Sequence, residues 1–311
     1  MAYVFSARHD HGTGMPKAKP VVFVIGASGN IGKATVNSLS LTYGRKLIIK
    51  AGVRKPEKVT AFNKLVGVTV VKAEMGQREQ LQEAFQGVDV LYIVCPGAEN
   101  RAELSIVTAE AALEAGVKHL LVLSVATAEL TDTTFGKQFH EIETAVSNLG
   151  VPYTFLRLPL FIENYFAFQA SIKDQLVFHG PVDPVMPYTS VAVDDAGSAA
   201  AAILSSPETH AGKTYTIVSD RHSFEDVAET FTKGLSRQVR YVRVPYEDAK
   251  AGFMQMGVQE WQAEGIMELY RLIDAGSPVT NQENLNDFSE ITSKKPTPLR
   301  SWVMRVASGF K

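Results

Sequence analysis

Cysteine is almost absent from this sequence, since Cys95 is the only one in 311 residues. A single thiol excludes a disulfide within the chain, and chains without disulfides are typical of reducing compartments. Long hydrophobic runs are missing too, because the longest apolar stretches, such as 90–94 and 120–123, have the length of a strand and not of a membrane span. These absences predict a cytoplasmic protein, with the nucleus as the alternative location, and no membrane contact.

An excess of positive charge is also missing. The net charge is −2, so no basic field is available to hold nucleic acid, and direct nucleic-acid binding is not expected. The seven histidines are scattered along the chain, so we predict no metal site. The first twenty residues lack the apolar core of a signal peptide, and we predict that residues 1–19 form a flexible N-terminal extension.

What the sequence does contain is a glycine-rich stretch directly after an apolar run. Val21–Ile25 is typical of a strand buried on both faces, and it ends at Gly26. Gly26 lets the chain turn sharply, Gly29 lets a phosphate approach the backbone, and Gly32 lets the next helix pack close to the sheet. With Asn30 as its predicted N-cap, that helix directs free N–H groups at an anion, most simply a dinucleotide pyrophosphate. A turn without a ligand is the alternative. The residues predicted to bind the dinucleotide here are Gly26, Ser28, Gly29, Asn30, Ile31 and Gly32.

The end of the second predicted strand, 46–53, indicates which dinucleotide fits. An acidic residue there would accept hydrogen bonds from the 2′-hydroxyl of the adenosine ribose, but residues 52–55 include none. Arg54 and Lys55 occupy the position instead, and a planar guanidinium suits a 2′-phosphate. The sequence therefore predicts NADP(H) over NAD(H), the alternative being that the two cations only decorate the start of a helix.

Three further predicted strands end at residues that would face the same ligand, because the carboxyl ends of parallel strands form the ligand crevice of such folds. Ser124 would lie at the nicotinamide end, where its hydroxyl either orients a substrate carbonyl or satisfies a backbone group. Cys95 either lies near the cofactor or is a small core residue. Glu74 follows the predicted strand 68–71, and Cys95 and Pro96 follow the predicted strand 88–94. Ser124 lies near the end of the predicted strand 118–125. All four are candidate cofactor-binding residues.

The alternation of strands and helices predicts an α/β fold, a Rossmann-type doubly wound parallel sheet. We predict an NAD(P)-binding domain over 20–158, completed by strands near 185–218, and a small interleaved C-terminal α+β lobe over 159–311. Ser223 and Asp226 predict a capped helix within that lobe. Its apolar residues are predicted to form a covering core, and they include Met254, Met256, Trp261, Met267 and Tyr270.

Several segments form a characteristic set: 26–32 (GASGNIG), 52–54 (GVR), 116–119 (GVKH) with Ser124, 150–157 (GVPYTFLR), 163–164 (EN) and 193–196 (VDDA). Together they resemble the NmrA-like family of atypical short-chain dehydrogenases, from about Val21 to Ala196 and more weakly beyond. The resemblance implies one dinucleotide-binding domain with a small C-terminal lobe over the nicotinamide end.

The resemblance also implies where catalytic residues belong, and here the chain departs from the pattern. Active short-chain dehydrogenases use a tyrosine and a lysine four residues apart on the helix after the fifth strand. No tyrosine lies between Gly97 and Pro152. Tyr246 and Lys250 have the right spacing, but they lie in the predicted lobe, and we interpret the spacing as chance.

Two other residues on the helix after the fifth strand are candidates for catalysis. Reductase relatives of the family carry a lysine there, which makes Lys137 the first candidate. His140 is the second, because with Glu143 it could form a proton relay. The alternative is that His140 and Glu143 form a polar rim beside an apolar stripe.

Two functions follow from this combination. An intact binding loop without the tyrosine and lysine pair favours an NADP(H)-binding redox sensor that regulates protein partners, through a population shift between NADPH- and NADP⁺-bound forms. The alternative is an NADPH-dependent reductase of quinones or related carbonyl compounds. A homodimer is compatible with either function.

Overall fold

The computed structural model describes residues 18–283 and 286–311, so most of the predicted extension, residues 1–17, lies outside the described residues. The strands are β1 (Val21–Ile25), β2 (Ile48–Val53), β3 (Val68–Lys72), β4 (Val90–Ile93), β5 (His119–Val125), β6 (Tyr153–Leu158), β7 (Leu160–Phe161), β8 (Val177–Gly180), β9 (Tyr188–Val191), β10 (Lys213–Thr216), β11 (Asp220–His222) and β12 (Arg240–Arg243). The helices are α1 (Asn30–Tyr43), α2 (Arg78–Ala84), α3 (Arg101–Glu114), α4 (Thr134–Ser147), α5 (Gln169–Gln175), α6 (Val193–Ser205), α7 (Phe224–Leu235), α8 (Tyr246–Gln255), α9 (Glu260–Asp274), α10 (Asp287–Thr292) and α11 (Leu299–Val306).

The large sheet has seven strands in the order β10-β6-β5-β4-β1-β2-β3. All of its strand pairs are parallel, so every strand ends at the same edge. The order reverses between β1 and β4, which is the point where ligands bind in open α/β sheets. The Rossmann-type doubly wound fold predicted from the sequence is confirmed.

Helices cover both faces of this sheet, and one of them comes from the later part of the chain. In β1, residues 22–25 are buried because the strand lies at the centre of the sheet. Helix α6 closes tightly on α1, since a Cβ atom at Gly197 would lie 2.7 Å from the Cβ of Ala34. The hydrophobic core around the sheet accordingly includes α6 and Ile217. The chain thus returns to the first core after β6.

A second hydrophobic core belongs to the C-terminal lobe. It gathers the buried faces of α7, α9 and α11 around large aromatic side chains such as Phe231 and Trp302. Two small sheets, ordered β11-β9-β7 and β12-β8, support it. Helix α7 begins with the predicted capping box, in which Ser223 and Asp226 satisfy each other's backbone N–H groups. The domain boundary between residues 158 and 159 stays a prediction.

The lobe docks on the sheet region where α9 meets α4. The Glu268 carboxylate on α9 accepts hydrogen bonds from the Thr134 backbone N–H, at 2.7 Å, and from its hydroxyl, at 3.1 Å. A Cβ at Gly265 would lie 2.8 Å from the Phe135 ring, so α9 can approach α4 this closely only with glycine at that position. The first turn of α4 is therefore held by the lobe.

Three sequence-based details differ from the structure. Asn30 is not the N-cap of α1: Gly29 is, with extended backbone angles, and no side chain caps the helix. The second strand begins at Ile48 and not at Lys46, because the Lys46 N–H bonds to Tyr43 O in the turn that closes α1. The fourth strand begins at Val90 and not at Val88, because the Val88 N–H bonds back to Phe85 O in the turn after α2.

Within residues 18–283 and 286–311, none of the helices combines the length and the apolar character needed to cross a membrane.

Candidate functional site

The three glycines after β1 have different structural requirements. Gly26 has a φ of +78°, and a Cβ there would lie 2.9 Å from Val94 O. A Cβ at Gly32 would lie 2.3 Å from Gly26 O, so this glycine lets the helix approach the turn. At Gly29 a Cβ would meet only Gly26 O, at 3.4 Å, and the backbone angles suit any residue. The open space over Gly29 is a cradle that a side chain would fill and that a phosphate fits.

The start of α1 presents backbone donors to the same space. Its first helical hydrogen bond is donated by the Lys33 N–H to Gly29 O, at 2.8 Å. The N–H groups of residues 30–32 precede that bond and point out of the helix toward the turn. With the dipole of a 14-residue helix behind them, they form an anion site in which a capping side chain would compete with a ligand.

The other predicted cofactor residues lie along the same edge of the sheet. Arg54 and Lys55 follow β2 and are exposed, as Glu74 is after β3, and Pro96 follows β4 in a half-buried position. Ser28 is exposed beside the glycines, whereas Ile31 is buried under them. The fold therefore brings together residues from the ends of four strands. Their contacts with a cofactor stay predictions.

Cys95 is half-buried at the end of β4, and its thiol donates a hydrogen bond to Leu123 O at 3.3 Å. Burial raises the pKa of the Cys95 thiol to about 11. The thiol is therefore protonated at physiological pH and is not a nucleophile.

Ser124 is fully buried, and its hydroxyl donates to the Glu143 carboxylate at 2.5 Å. Its partner is thus a side chain and not the backbone group that the sequence suggested as one alternative. Glu143 is held in turn by a bidentate Arg157, with Nε at 3.0 Å and Nη2 at 2.7 Å. Arg157 Nη1 donates a hydrogen bond to the Glu129 carboxylate at 2.7 Å. These hydrogen bonds raise the pKa of Arg157 and lower that of Glu129.

Lys137 and His140 lie on the exposed side of α4, whereas the apolar stripe of that helix is buried through Phe139, Ile142 and Val146. Glu143 is turned inward and bound to Ser124 and Arg157. Neither Lys137 nor His140 is among the residues that line the cavity described next. Their assignment as catalytic residues stays a prediction.

A cavity of about 810 Å³ opens beside the carboxyl ends of β5 and β6. Ala126 and Pro159 line it on the side of the sheet, and Met256, Ile266 and Tyr270 line it on the side of the lobe. The lining is mostly apolar with a few polar groups, which is the usual composition of a small-molecule site. The predicted covering core is thus only partly right: Met267 and Tyr270 are in the lobe core, where Tyr270 also lines the cavity, whereas Met256 is exposed and lies in the cavity wall.

One charged residue of the cavity, Arg101, is not among the site residues predicted from the sequence. It is the first residue of α3 and only 8% exposed. Its guanidinium carbon lies 5.5 Å from the ring centre of Phe135, 5.1 Å from that of Phe139 and 5.4 Å from that of Trp261. Its Nε donates to Ala98 O at 3.2 Å. Sequence reasoning missed this site because the rings come from two helices far along the chain.

The cavity also includes one carboxylate, Glu163. Its two oxygens accept hydrogen bonds from the Val193 N–H and from the Trp302 indole N–H, both at 3.0 Å. Burial raises the pKa of this carboxyl group. Glu163 thus fastens the start of α6 to α11.

Comparison with known proteins places these features in context. A sequence model of the NmrA-like family matches residues 18–300. An NAD(P)H azoreductase from Xenophilus azovorans is 27% identical over 254 residues, which cover 81% of this chain and 87% of that protein. Quinone oxidoreductase 2 from Escherichia coli (strain K12) is 28% identical over 276 residues, covering 88% and 93%. The crystal structure of the Citrobacter sp. triphenylmethane reductase complexed with NADP(H) is similar with a TM-score of 0.80 and 26% identity, covering 92% of this chain and 99% of that one.

Proposed function

The chain belongs to the NmrA-like family, and from that premise we propose that it is an NADPH-dependent reductase of planar, conjugated acceptors of the quinone type. NADP(H) is its cofactor. The observation that carries the proposal is the apolar cavity beside the ends of β5 and β6, at the same edge of the sheet as the glycine turn.

The residues of the chain fit two parts of the cofactor, the pyrophosphate and the 2′-phosphate. The turn at Gly26 and Gly29 and the N–H groups at the start of α1 suit the pyrophosphate. Arg54, exposed at the end of β2, supports recognition of the 2′-phosphate. Bound NADPH supplies a hydride for reduction of the acceptor.

The cavity supports a flat apolar acceptor in particular. Phe135, Phe161 and Tyr270 contribute aromatic surface, and Met256 adds a flexible thioether that adapts to different ring systems. The chain holds the acceptor and excludes water, and positioning of this kind alone is worth several orders of magnitude in rate. Hydride transfer leaves the reduced quinone as an anion, which takes one proton from solvent when the product leaves the cavity, so the missing tyrosine and lysine pair is compatible with this reaction.

The relatives favour the same class of acceptor. Their names specify azo compounds, quinones and triphenylmethane compounds. These compounds differ in functional group but share extended conjugation and large aromatic surfaces. A cavity of about 810 Å³ accommodates molecules of that size.

The proposal is tested by following the absorbance of NADPH with quinones, azo dyes and triphenylmethane dyes under anaerobic conditions. Ile266→Trp, which fills the cavity wall, is expected to lower the rate by about tenfold or more while NADPH binding persists. Met254→Trp is the matched control, because Met254 is 43% exposed and lies outside the cavity lining. A wild-type protein that binds NADPH but reduces none of these acceptors would contradict the proposal.

A redox-sensing regulator is the second candidate function. The absence of a tyrosine between Gly97 and Pro152 favours it, because a sensor needs binding without turnover. A protein partner whose affinity differs between the NADPH-bound and the NADP⁺-bound forms would support it, and a homodimer is compatible with it. Robust NADPH consumption that is lost in Ile266→Trp would overturn the sensor.

A further inference from the structure

Arg101 is a buried cation with no acidic partner among the described residues. Its only side-chain hydrogen bond within them goes to Ala98 O, which satisfies Nε and leaves both Nη groups free. Cys95, whose ionised form would interact with the Arg101 charge, is a neutral thiol because burial raises its pKa to about 11. Glu163, the carboxylate in the cavity lining, is engaged by Val193 and Trp302.

The surroundings of Arg101 hold the charge in place without neutralising it. Three rings, from Phe135, Phe139 and Trp261, lie within 5.5 Å of the guanidinium carbon. Their faces attract a cation, but they leave its net charge intact. Arg101 is also the first residue of α3, where the positive end of the helix dipole makes a cation unfavourable. Both effects leave a strongly positive spot in an apolar wall.

A buried charge without a partner is costly, and the cost is removed when a ligand supplies the opposite charge. Arg101 is 8% exposed and belongs to the cavity lining, so the cavity gives a ligand access to this side chain. The residues predicted to hold the phosphates of the cofactor, in contrast, lie at the turn after β1 and at the end of β2, whereas Cys95 and Pro96, the predicted cofactor residues that precede Arg101 in the chain, follow β4. The cavity ligand and not the pyrophosphate is therefore the natural partner of Arg101.

We propose that Arg101 binds an anionic oxygen group of the substrate, so that the cavity selects conjugated acceptors that carry one carboxylate or equivalent anion. The inference rests on the proposed reductase function only in so far as the ligand is a substrate, since binding of an anion at Arg101 can be measured without turnover. A guanidinium binds a carboxylate through two parallel hydrogen bonds. The aromatic cage fixes the plane of the guanidinium and thus the orientation of the acceptor.

The test compares two probes of equal shape, naphthoate and its neutral amide, naphthamide. Binding of each to the NADP⁺-loaded protein is measured by titration calorimetry. Naphthoate is expected to bind about tenfold to a hundredfold more tightly, as for a hydrogen bond to a charged group. Equal affinities in the wild-type protein would overturn the proposal without any variant.

Arg101→Met retains the length of the side chain and removes the charge. It is expected to abolish the preference for naphthoate and to leave the affinity for NADP⁺ unchanged. Arg271→Met is the matched control, because Arg271 also lies over a ring, that of Tyr246 at 5.1 Å, but outside the cavity lining. A preference that persists in Arg101→Met, or a loss of NADP⁺ affinity in that variant, would overturn the assignment.

The two proposals fail separately. If the protein reduces no acceptor but retains the naphthoate preference, the reductase function is wrong and the anion site stands. If it reduces neutral quinones and shows no preference between the probes, the anion site is wrong and the reductase function stands.

Discussion

At the scale of single residues, the three glycines after β1 differ in whether the fold or the ligand requires them. Gly26 and Gly32 are fixed by the protein itself, through a positive φ and through contact with a backbone oxygen. Gly29 has no comparable constraint from the chain. Its lack of a side chain is best explained by the space that a phosphate needs.

This distinction predicts opposite effects of two alanine substitutions. Gly29→Ala should lower NADPH affinity by about tenfold or more, and it should cost less than about 1 kcal/mol of unfolding free energy, since alanine is only a poorer N-cap. Gly32→Ala should cost about 2 kcal/mol or more, because its Cβ would lie 2.3 Å from Gly26 O. Thermal unfolding and NADPH titration of both variants check this. Equal losses of stability would show that Gly29 is also a packing residue.

We predict that Arg54 carries the preference for a 2′-phosphate. In Arg54→Ala, the affinities for NADPH and NADH should become similar, because a charge-assisted hydrogen bond worth about 1.5 to 3 kcal/mol is lost. Arg45→Ala is the control, since Arg45 is equally exposed but lies in the turn before β2. Fluorescence titration with the four nicotinamide dinucleotides measures both. Wild-type affinities that are equal for NADPH and NADH would rule out this role.

At the scale of elements, α4 joins the sheet, the lobe and a buried ion pair. The sequence predicted its apolar stripe, because 3.6-residue periodicity is local information. It could not predict that Glu143, one step from the stripe, turns inward to Ser124 and Arg157, since those partners belong to β5 and β6. The same limit applies to Arg101, whose ring partner Trp261 lies in α9. Long-range partners of polar residues leave no periodic pattern in a sequence.

The ion pair of Glu143 and Arg157 predicts that removing the Glu143 charge lowers the stability of the protein strongly. Glu143→Gln should lower the free energy of unfolding by about 2 to 4 kcal/mol, because Arg157 would remain buried without its bidentate partner. Glu129→Gln is the matched control, since Glu129 contacts the same arginine but its side chain is 74% exposed, and it should cost less than about 1 kcal/mol. Urea unfolding of both variants gives the comparison. Similar values for the two would mean that the buried pair is not a special feature of α4.

At the scale of the whole molecule, two cores enclose one cavity. The doubly wound parallel sheet and the glycine turn were predictable because buried parallel strands and tight turns have strong local signatures. The cavity was not, because its walls come from β5 and β6 on one side and from α8 and α9 on the other. The apolar residues of the lobe look alike in sequence whether they fill a core or line a ligand site.

Each core also includes one buried neutral histidine. Burial lowers the pKa of His119, in β5, to about 4, and that of His222, in β11, to about 4, from an ordinary value of 6.5. Between about pH 6.5 and about pH 4 the unfolded chain therefore binds protons that the folded protein does not bind. The free energy of unfolding should fall as the pH drops through this range. His222→Phe should flatten this dependence, because it removes one of the two titrating groups. Phenylalanine suits the position, since neither His222 ring nitrogen has a hydrogen-bond partner among the described residues. Thermal unfolding across this range measures it, with the exposed His140→Phe as a control that should retain the wild-type slope.

We propose that the chain holds NADPH and an acceptor together so that a hydride passes between them. Deuterium transfer is measured with NADPH that carries deuterium at both positions of the nicotinamide C4 and with a sulfonated, anionic triphenylmethane dye, whose central carbon retains the deuterium that it receives. We predict a leuco product with one deuterium by mass spectrometry, and loss of that product in Ile266→Trp with NADPH binding intact. Cofactor binding without any deuterated product would contradict the account.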